Sequence, residues 1–132
     1  MTAKEIIGYY PVNDCDPGKV AQIAESIKAN GWTGAPMLVS ETHWRIITGS
    51  HRLAALRAIE EEADDAADNG DYDAYERLSS ILECECAETV DDIIEAYCSD
   101  NDCTIDDLPY DNLSQIFAGT DIERYASEFA EW

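Results

Sequence analysis

Residues 46–59 read Ile46-Ile47-Thr48-Gly49-Ser50-His51-Arg52-Leu53-Ala54-Ala55-Leu56-Arg57-Ala58-Ile59, and the architecture follows from this segment. The β-branched residues at its start are typical of a strand, whereas Leu56, Ile59 and Ala63 keep helical spacing. Gly49 stands between the two patterns, where a residue without a Cβ atom permits a tight turn. The segment therefore predicts a strand that passes through a turn directly into a helix.

The rest of the chain predicts one α/β (α+β) domain over residues 1–100 and an acidic helical C-terminal extension, residues 101–132, packed on the same domain. The clearest helix starts at Asp16-Pro17, with Asp16 as N-cap, and ends at Asn30-Gly31 in a left-handed cap. Residues 40–43 predict a hairpin turn. The predicted strands are 5–12, 36–39, 44–48 and 81–87, the last with a helix as its alternative. Further helices are predicted over residues 72–78, from residue 89, and at about 111–118 and 121–131.

The charge of the chain is strongly asymmetric. It has 29 acidic and 8 basic residues and a net charge of −21. Residues 1–59 hold five of the acids and six of the bases, so the whole excess lies in residues 60–132. Such a surface repels phosphate backbones, which argues against direct DNA binding by this chain alone. The acidic part is expected to keep the protein soluble, to attract a basic protein partner or to mimic nucleic acid; a salt-adapted proteome is a further alternative.

Two further features limit the class of protein. No apolar run reaches the roughly 18 residues that a membrane span requires, and the first residues lack the apolar region of a secretory signal. A soluble, cytoplasmic protein without a membrane partner is therefore expected. The five cysteines are an odd count, which argues against a disulfide framework. Cys84-x-Cys86 and Cys98-x4-Cys103 lack the spacing of zinc knuckles, so these thiols are interpreted as buried or half-buried and no metal site is predicted.

The turn at Gly49 concentrates polar residues that suit an anion. The first amides of a helix lack intrahelical partners and carry a partial positive charge, which favours phosphate. Ser50 adds a hydroxyl group, His51 an imidazole and Arg52 a guanidinium with bidentate geometry. The candidate phosphate-binding residues are Thr48, Gly49, Ser50, His51 and Arg52, with Arg57 as a secondary candidate on the helix flank. The alternative interpretation is that Ser50 is an N-cap, His51 a structural histidine and Arg52 a partner for nearby acids.

The order of these elements resembles the ParB/sulfiredoxin superfamily. The resemblance rests on Ser26-Ile27-x3-Gly31, on Pro36-Met37-Leu38-Val39, and on Gly49-Ser50-His51-Arg52 followed by an alanine-rich helix. It covers residues 5–60, and extends to residue 98 if the strand at 81–87 and the following helix complete the domain. It implies a small mixed sheet with helices that binds a nucleotide, which is ATP in sulfiredoxins and CTP in ParB partition proteins.

Carried over residue by residue, the resemblance implies that Gly49, Ser50, His51 and Arg52 hold the phosphates of a nucleoside triphosphate, with Mg²⁺ neutralising its charge. Thr33, Gly34 and Pro36 lie where a second loop of the family approaches the ligand, and they are secondary candidates. The chain departs from the family in two ways. Ser50 replaces the cysteine of sulfiredoxins, which argues against sulfinic acid reduction because a hydroxyl group cannot form the sulfur intermediate. His51 replaces the first arginine of the ParB turn, and no basic helix-turn-helix follows it.

Three functions follow, in order of preference. The first is a nucleotide-binding domain in which NTP hydrolysis, phosphoryl transfer and conformational switching all stay open, with Glu41, His43 and His51 as unranked candidate bases. The second is an acidic protein-interaction or DNA-mimic module. The third is ParB-like DNA binding or nuclease activity. The acidic runs that a nuclease would use for metals are interpreted as solvated faces; they are Asp64, Asp65 and Asp68, and Asp91, Asp92 and Glu95.

Overall fold

The computed structural model describes residues 1–10, 15–32, 36–108, 114–120 and 122–123. This part of the chain has six α-helices and a mixed three-stranded sheet, which confirms the predicted α+β class. The helices are α1 (Ala3–Ile6), α2 (Pro17–Asn30), α3 (Ser50–Asp68), α4 (Tyr72–Ile81), α5 (Asp91–Asn101) and α6 (Ser114–Phe117), with a 3-10 turn at Ile105–Asp107. The strands are β1 (Met37–Ser40), β2 (Arg45–Ile46) and β3 (Ala87–Thr89). None of the helices in the described residues is both long enough and apolar enough to cross a membrane.

The sheet has the order β2-β1-β3, with β1 in the centre and buried along its whole length. β1 and β2 pair antiparallel, with Val39 opposite Ile46, which confirms the predicted hairpin although β2 is only two residues long. β1 and β3 pair parallel, with Met37 opposite Ala87. The hairpin turn occupies residues 41–44 rather than 40–43, and it ends at Trp44 with a φ of 52°.

The predicted opening strand over residues 5–12 is wrong, because the chain begins with helix α1. The Glu5 carboxylate accepts hydrogen bonds from the Thr2 amide at 3.2 Å and the Thr2 hydroxyl at 3.1 Å, which is one arm of a capping box. These bonds lower the pKa of Glu5. Within residues 5–10, the described part of the predicted strand, the only extended pairing is a bridge between Tyr10 and Arg45. Residues 11 and 12 of the predicted strand lie outside the described residues.

The predicted strand over residues 81–87 is displaced toward the C-terminus. Helix α4 continues to Ile81, a turn follows, and β3 begins only at Ala87. From Leu82 this segment alternates apolar and acidic residues, a pattern typical of a strand, but its buried residues have other positions: Leu82 lies in the turn and Cys86 just before β3. The Cys86 carbonyl accepts the Met37 amide at 2.8 Å, so the parallel pairing with β1 sets where β3 begins.

The predictions for the longer helices are confirmed. In α2 the Asp16 side chain accepts the Gly18 amide, Pro17 occupies the first position and Gly31 closes the last turn with a φ of 74°. The ψ of Gly31 is −172°, however, so the predicted left-handed helical cap is wrong in detail. α3 continues beyond Ile59 through the acidic residues 60–68, and α4 and α5 lie where helices are predicted.

Two buried clusters form the core. The first lies between α1–α4 and one face of the sheet. The second joins sheet and α5 residues to the described part of the C-terminal region; its members are Leu38, Ile47, Val90, Ile94, Leu108, Ile116, Phe117 and Ile122. Of the two helices predicted there, the first is seen as the short α6, and residues 111–113 lie outside the described residues. The second, at about 121–131, lies almost entirely outside them.

Candidate functional site

Gly49 is required by both backbone conformation and packing. Its φ is 97° and its ψ is 31°, a region that residues with a Cβ atom rarely adopt. A Cβ atom at this position would lie 2.7 Å from Met37 Cγ and 3.0 Å from Met37 Sδ. The Gly49 carbonyl accepts the Leu53 amide at 2.9 Å, so this residue is the N-cap of α3. The close backbone approach that the sequence predicts is therefore an approach to β1.

Thr48 and Ser50 flank Gly49 and are both buried. The Thr48 hydroxyl accepts the Leu38 amide at 3.2 Å, so this side chain joins the end of the hairpin to the central strand. Ser50 is 2% exposed and is the first residue of α3 rather than its N-cap, which corrects the alternative interpretation of that residue. Both side chains lie beneath the surface at which His51 and Arg52 are partly exposed.

His51 connects the starts of two helices. Its Nε2 atom accepts the Asp16 amide at 3.1 Å, which places the proton of the neutral ring on Nδ1. Further along the same helices, the Lys28 ammonium lies 3.0 Å from a Glu62 carboxylate oxygen, and Glu25 and Glu62 together raise the pKa of Lys28. α2 and α3 therefore run side by side in the same direction. The positive ends of both helix dipoles lie together beside His51.

Arg52 stacks on an aromatic ring. Its guanidinium carbon lies 4.9 Å from the centre of the Trp32 ring, a cation–π distance. The Trp32 indole nitrogen is buried and has no hydrogen-bond partner within the described ranges. Stacking uses the face of a guanidinium, whereas phosphate is recognised by its edge. The contact with Trp32 therefore helps to orient the Arg52 guanidinium beside the start of α3.

The secondary candidates have different positions. The Arg57 Nε atom donates to the Ile7 carbonyl at 2.8 Å, and the same guanidinium donates to the Tyr9 carbonyl, so this side chain holds the N-terminal segment against α3. Pro36 is half-buried and precedes Met37, the residue that packs against Gly49. Thr33 and Gly34 lie outside the described residues.

The electrostatic character of α3 changes along its length. Its first turn carries no acidic residue, and neither does the first turn of α2. Its second half is acidic, and its last turn carries no basic residue. The acidic residues of that half are Glu60, Glu61, Glu62, Asp64, Asp65 and Asp68, all but Glu60 exposed.

The candidate bases Glu41 and His43 lie in the hairpin turn between β1 and β2, several residues before the turn at Gly49. A partly exposed hydrogen-bond network holds this turn: the Ser40 hydroxyl donates to Asp91 Oδ1 at 2.6 Å, and the Glu41 amide donates to Asp91 Oδ2 at 3.0 Å. The His43 amide donates to the Ser40 oxygen at 3.3 Å, and its ring is exposed. Spacing alone does not reveal this network, because Ser40 and Asp91 are 51 residues apart.

Comparison of the chain with family models, curated proteins and solved structures finds no match in any of the three. The resemblance to the ParB/sulfiredoxin superfamily thus stays a prediction. It depends on the residues of the turn at Gly49 and on the elements that precede it.

Two clefts lie elsewhere on the molecule. One of about 620 Å³ lies at the start of α5 and is lined by Glu88, Thr89, Val90, Asp91, Asp92, Ile93, Gly119, Thr120 and Ile122. Another of about 420 Å³ lies between α2, α3 and α4 and is lined by Glu25, Lys28, Ala29, Glu62, Arg77 and Leu78. Neither includes a residue of the turn at Gly49. Within the described part of the chain, no group of three or more histidine, cysteine or acidic residues is arranged to hold a metal ion.

Proposed function

We propose that this protein is a nucleotide-binding domain that holds the phosphates of a nucleoside triphosphate at the start of α3. One observation carries the proposal. In a chain with 29 acidic residues, the first turn of the longest helix has none and carries His51 and Arg52 instead. The dipole of a helix favours acidic residues at its start, so an external anion would supply the compensation that the first turn of α3 lacks.

The residues of the turn have two roles in this proposal: some shape the turn, and others bind the ligand. Thr48 and Gly49 are engaged by Leu38 and Met37, so they shape the turn. The groups that reach the ligand are the α3 amides, the His51 Nδ1–H group and the Arg52 guanidinium. The start of α2 lies at the same place, but the Asp16 carboxylate already compensates its dipole by accepting the Gly18 amide, so α3 supplies the dipole that the anion would meet.

A triphosphate fits this donor set better than a free metal ion does. The donors are N–H groups, which bind phosphate oxygens and repel cations. Any Mg²⁺ would therefore be held mainly by the phosphates, with the carboxylate of Asp16 at the same end of the helices. When bound, the ion would neutralise part of the phosphate charge.

The same geometry supports binding rather than base catalysis by His51. A general base needs a free lone pair on a nitrogen atom, and the Nε2 lone pair accepts the Asp16 amide. His51 is therefore assigned to holding the two helix starts together. Hydrolysis or phosphoryl transfer would need another base, and none of the described contacts brings Glu41 or His43 to the turn.

Calorimetric titration tests the proposal, with ATP, CTP and GTP each added in the presence of Mg²⁺. Arg52→Ala should weaken binding by at least about tenfold, because a hydrogen bond to a charged group contributes about 1.5–3 kcal/mol. Arg77→Ala is the matched control, since it removes the same charge from an exposed position on α4. Equal affinity of the two variants, or no binding of any of the three nucleotides by the native chain, would refute the proposal.

A second candidate is an interaction surface on the outward side of α4. Tyr72 is 66% exposed there and Tyr75 is 38% exposed, whereas Leu78 turns inward. Asp73 and Glu76 are exposed on the same helix, beside the acidic second half of α3. Exposed tyrosines among carboxylates suit arginine side chains, which pair with acids and stack on aromatic rings.

Peptide binding separates this candidate from simple attraction between opposite charges. An arginine-rich and a lysine-rich peptide of equal charge are titrated into the native chain and the Tyr72→Ala/Tyr75→Ala variant. If the tyrosines take part, the variant loses affinity for the arginine peptide and keeps its affinity for the lysine peptide. Equal losses of affinity for the two peptides, or no loss for either, would mean that the peptides bind only by general attraction between opposite charges, which salt screens.

A further inference from the structure

The end of α5 brings two cysteines together. Asp102 has φ and ψ of 50° and 48°, and its amide donates to the Cys98 carbonyl. The Cys103 amide donates to the same carbonyl at 3.1 Å. The first bond is that of the αL motif and the second is the 6→1 bond of the Schellman motif; at such helix ends the side chains at the positions of Cys98 and Cys103 commonly touch. Burial and the neighbouring Cys103 thiol raise the pKa of Cys98, which agrees with such contact.

Both members of this pair are partly exposed, whereas in the other closely spaced pair, Cys84 and Cys86, only Cys84 is. Both Cys98 and Cys103 are half-buried at the edge of the second core cluster. Cys86 is fully buried within the first cluster, where burial and the Cys84 thiol raise its pKa to about 12. Burial also raises the pKa of Cys84. A thiolate is the reactive form, so Cys86 is the less reactive thiol near neutral pH.

We propose that Cys98 and Cys103 form a dithiol site that a low-molecular-weight disulfide converts into an intrachain disulfide. One thiolate attacks a sulfur atom of the reagent, forms a mixed disulfide and releases one reagent thiol. The second cysteine, as thiolate, then attacks the protein sulfur and releases the other reagent thiol. The protein loses two protons and two electrons, and the reagent gains both. This inference is independent of the proposed nucleotide site.

The charges around the pair select the reagent. Asp100, Asp102 and Asp107 are exposed beside the two cysteines, and Asp107 contributes to the raised pKa of Cys98. A cationic disulfide such as cystamine should therefore react faster than the anionic glutathione disulfide, and added salt should reduce the difference.

Mass spectrometry of the full-length chain tests the proposal. After incubation with cystamine, the native protein should lose the mass of two hydrogen atoms, and peptide mapping should find the Cys98–Cys103 bond. Cys103→Ser should stop at a mixed disulfide on Cys98, and Cys98→Ser at one on Cys103. The Cys84→Ser/Cys86→Ser variant should form the Cys98–Cys103 bond as the native chain does. The rate of that bond formation should exceed the rate at which Cys84 and Cys86 react in the native chain by at least about tenfold.

The contrary outcomes are equally specific. A mapped bond between Cys84 and Cys86, or native protein that accumulates only mixed disulfides, would overturn the proposal. So would a native chain that stays reduced under conditions in which the urea-unfolded chain is oxidised. A rate for glutathione disulfide equal to that for cystamine at low salt would overturn the role of the surrounding aspartates.

Discussion

The starts of α3 and α5 meet the same electrostatic requirement in different ways. α5 has Asp91 and Asp92 in its first turn, and the Asp91 carboxylate also accepts bonds from the hairpin turn. α3 has no acid in its first turn and begins at a glycine with a φ of 97°. The N-cap of α5 is Val90, with an ordinary φ of −126°. α5 is thus compensated from within the chain, whereas the first turn of α3 carries cationic and neutral groups that suit an external anion.

The far end of α3 makes the contrast stronger. Cations are favoured at the end of a helix, yet the last turn of α3 has none and its second half is acidic. The charges of α3 therefore oppose its dipole at both ends. Packing outweighs this cost, because Leu53, Leu56 and Ile59 are fully buried and each contributes about 2 kcal/mol. The helix is held by its core face and leaves both ends electrostatically suited to partners.

The largest expected effect comes from Gly49→Ala. Like Val90 of α5, the new N-cap of α3 would then carry a Cβ atom. The new Cβ atom would meet Met37, which is fully buried, and the backbone would be strained at a φ of 97°. We expect a loss of about 3 kcal/mol in the free energy of unfolding, measured by urea titration. Gly8→Ala is the control, because nothing lies within 4 Å of a Cβ atom there. Equal effects of the two substitutions would contradict the tight packing at Gly49.

The next largest effect is expected when the negative charge that compensates the dipole at the start of α5 is removed. Asp91→Asn should destabilise the protein by about 2 kcal/mol, because it removes the charge that accepts the Ser40 and Glu41 donors. Asp92→Asn is the control: it lies in the same turn, is exposed, and should cost only about 0.5 kcal/mol through the helix dipole. Urea unfolding of both variants gives the comparison. A difference of less than the experimental error would mean that the hairpin network does not contribute to the start of α5.

Local signals explain which elements the sequence predicts correctly. α2 carries its own start at Asp16 and Pro17 and its own end at Gly31, so its limits follow from neighbouring residues. The prediction of an N-terminal strand is wrong because the β-branched and aromatic residues there, which favour a strand, are outweighed by hydrogen bonds to distant residues. The Ala3 amide donates to the Cys84 carbonyl, and that contact is invisible to any short window of sequence.

The same division holds for the site. The turn from strand to helix at Gly49 is predictable, since a glycine between two different periodicities is a local signal. The contact of His51 with Asp16 spans 35 residues, and the stack of Arg52 on Trp32 also joins separate elements. These contacts fix the positions of His51 and Arg52 in the fold, and they arise only when α2 packs beside α3.

A smaller effect concerns the cation at the start of α3. A double-mutant cycle of Arg52→Ala and Trp32→Leu should give a coupling energy of about 1 kcal/mol, the size of a partly exposed cation–π contact. The free energies come from urea unfolding of the native chain, the two single variants and the double variant. The cycle cancels the packing lost with the indole ring. A coupling near zero would show that the ring does not hold the guanidinium.

The smallest effect adds compensation at the other end of α3. Asp68→Lys places a cation in the last turn, where the exposed side chain faces the negative end of the helix dipole. We expect the free energy of unfolding to rise by roughly 0.5 kcal/mol at low salt and by less at high salt. Asp68→Asn removes the acid without adding a cation, so it should give a smaller rise. If Asp68→Lys instead lowers the stability, other contacts must favour the negative charge of Asp68. The acidic second half of α3 would then be stabilised by those contacts despite the helix dipole.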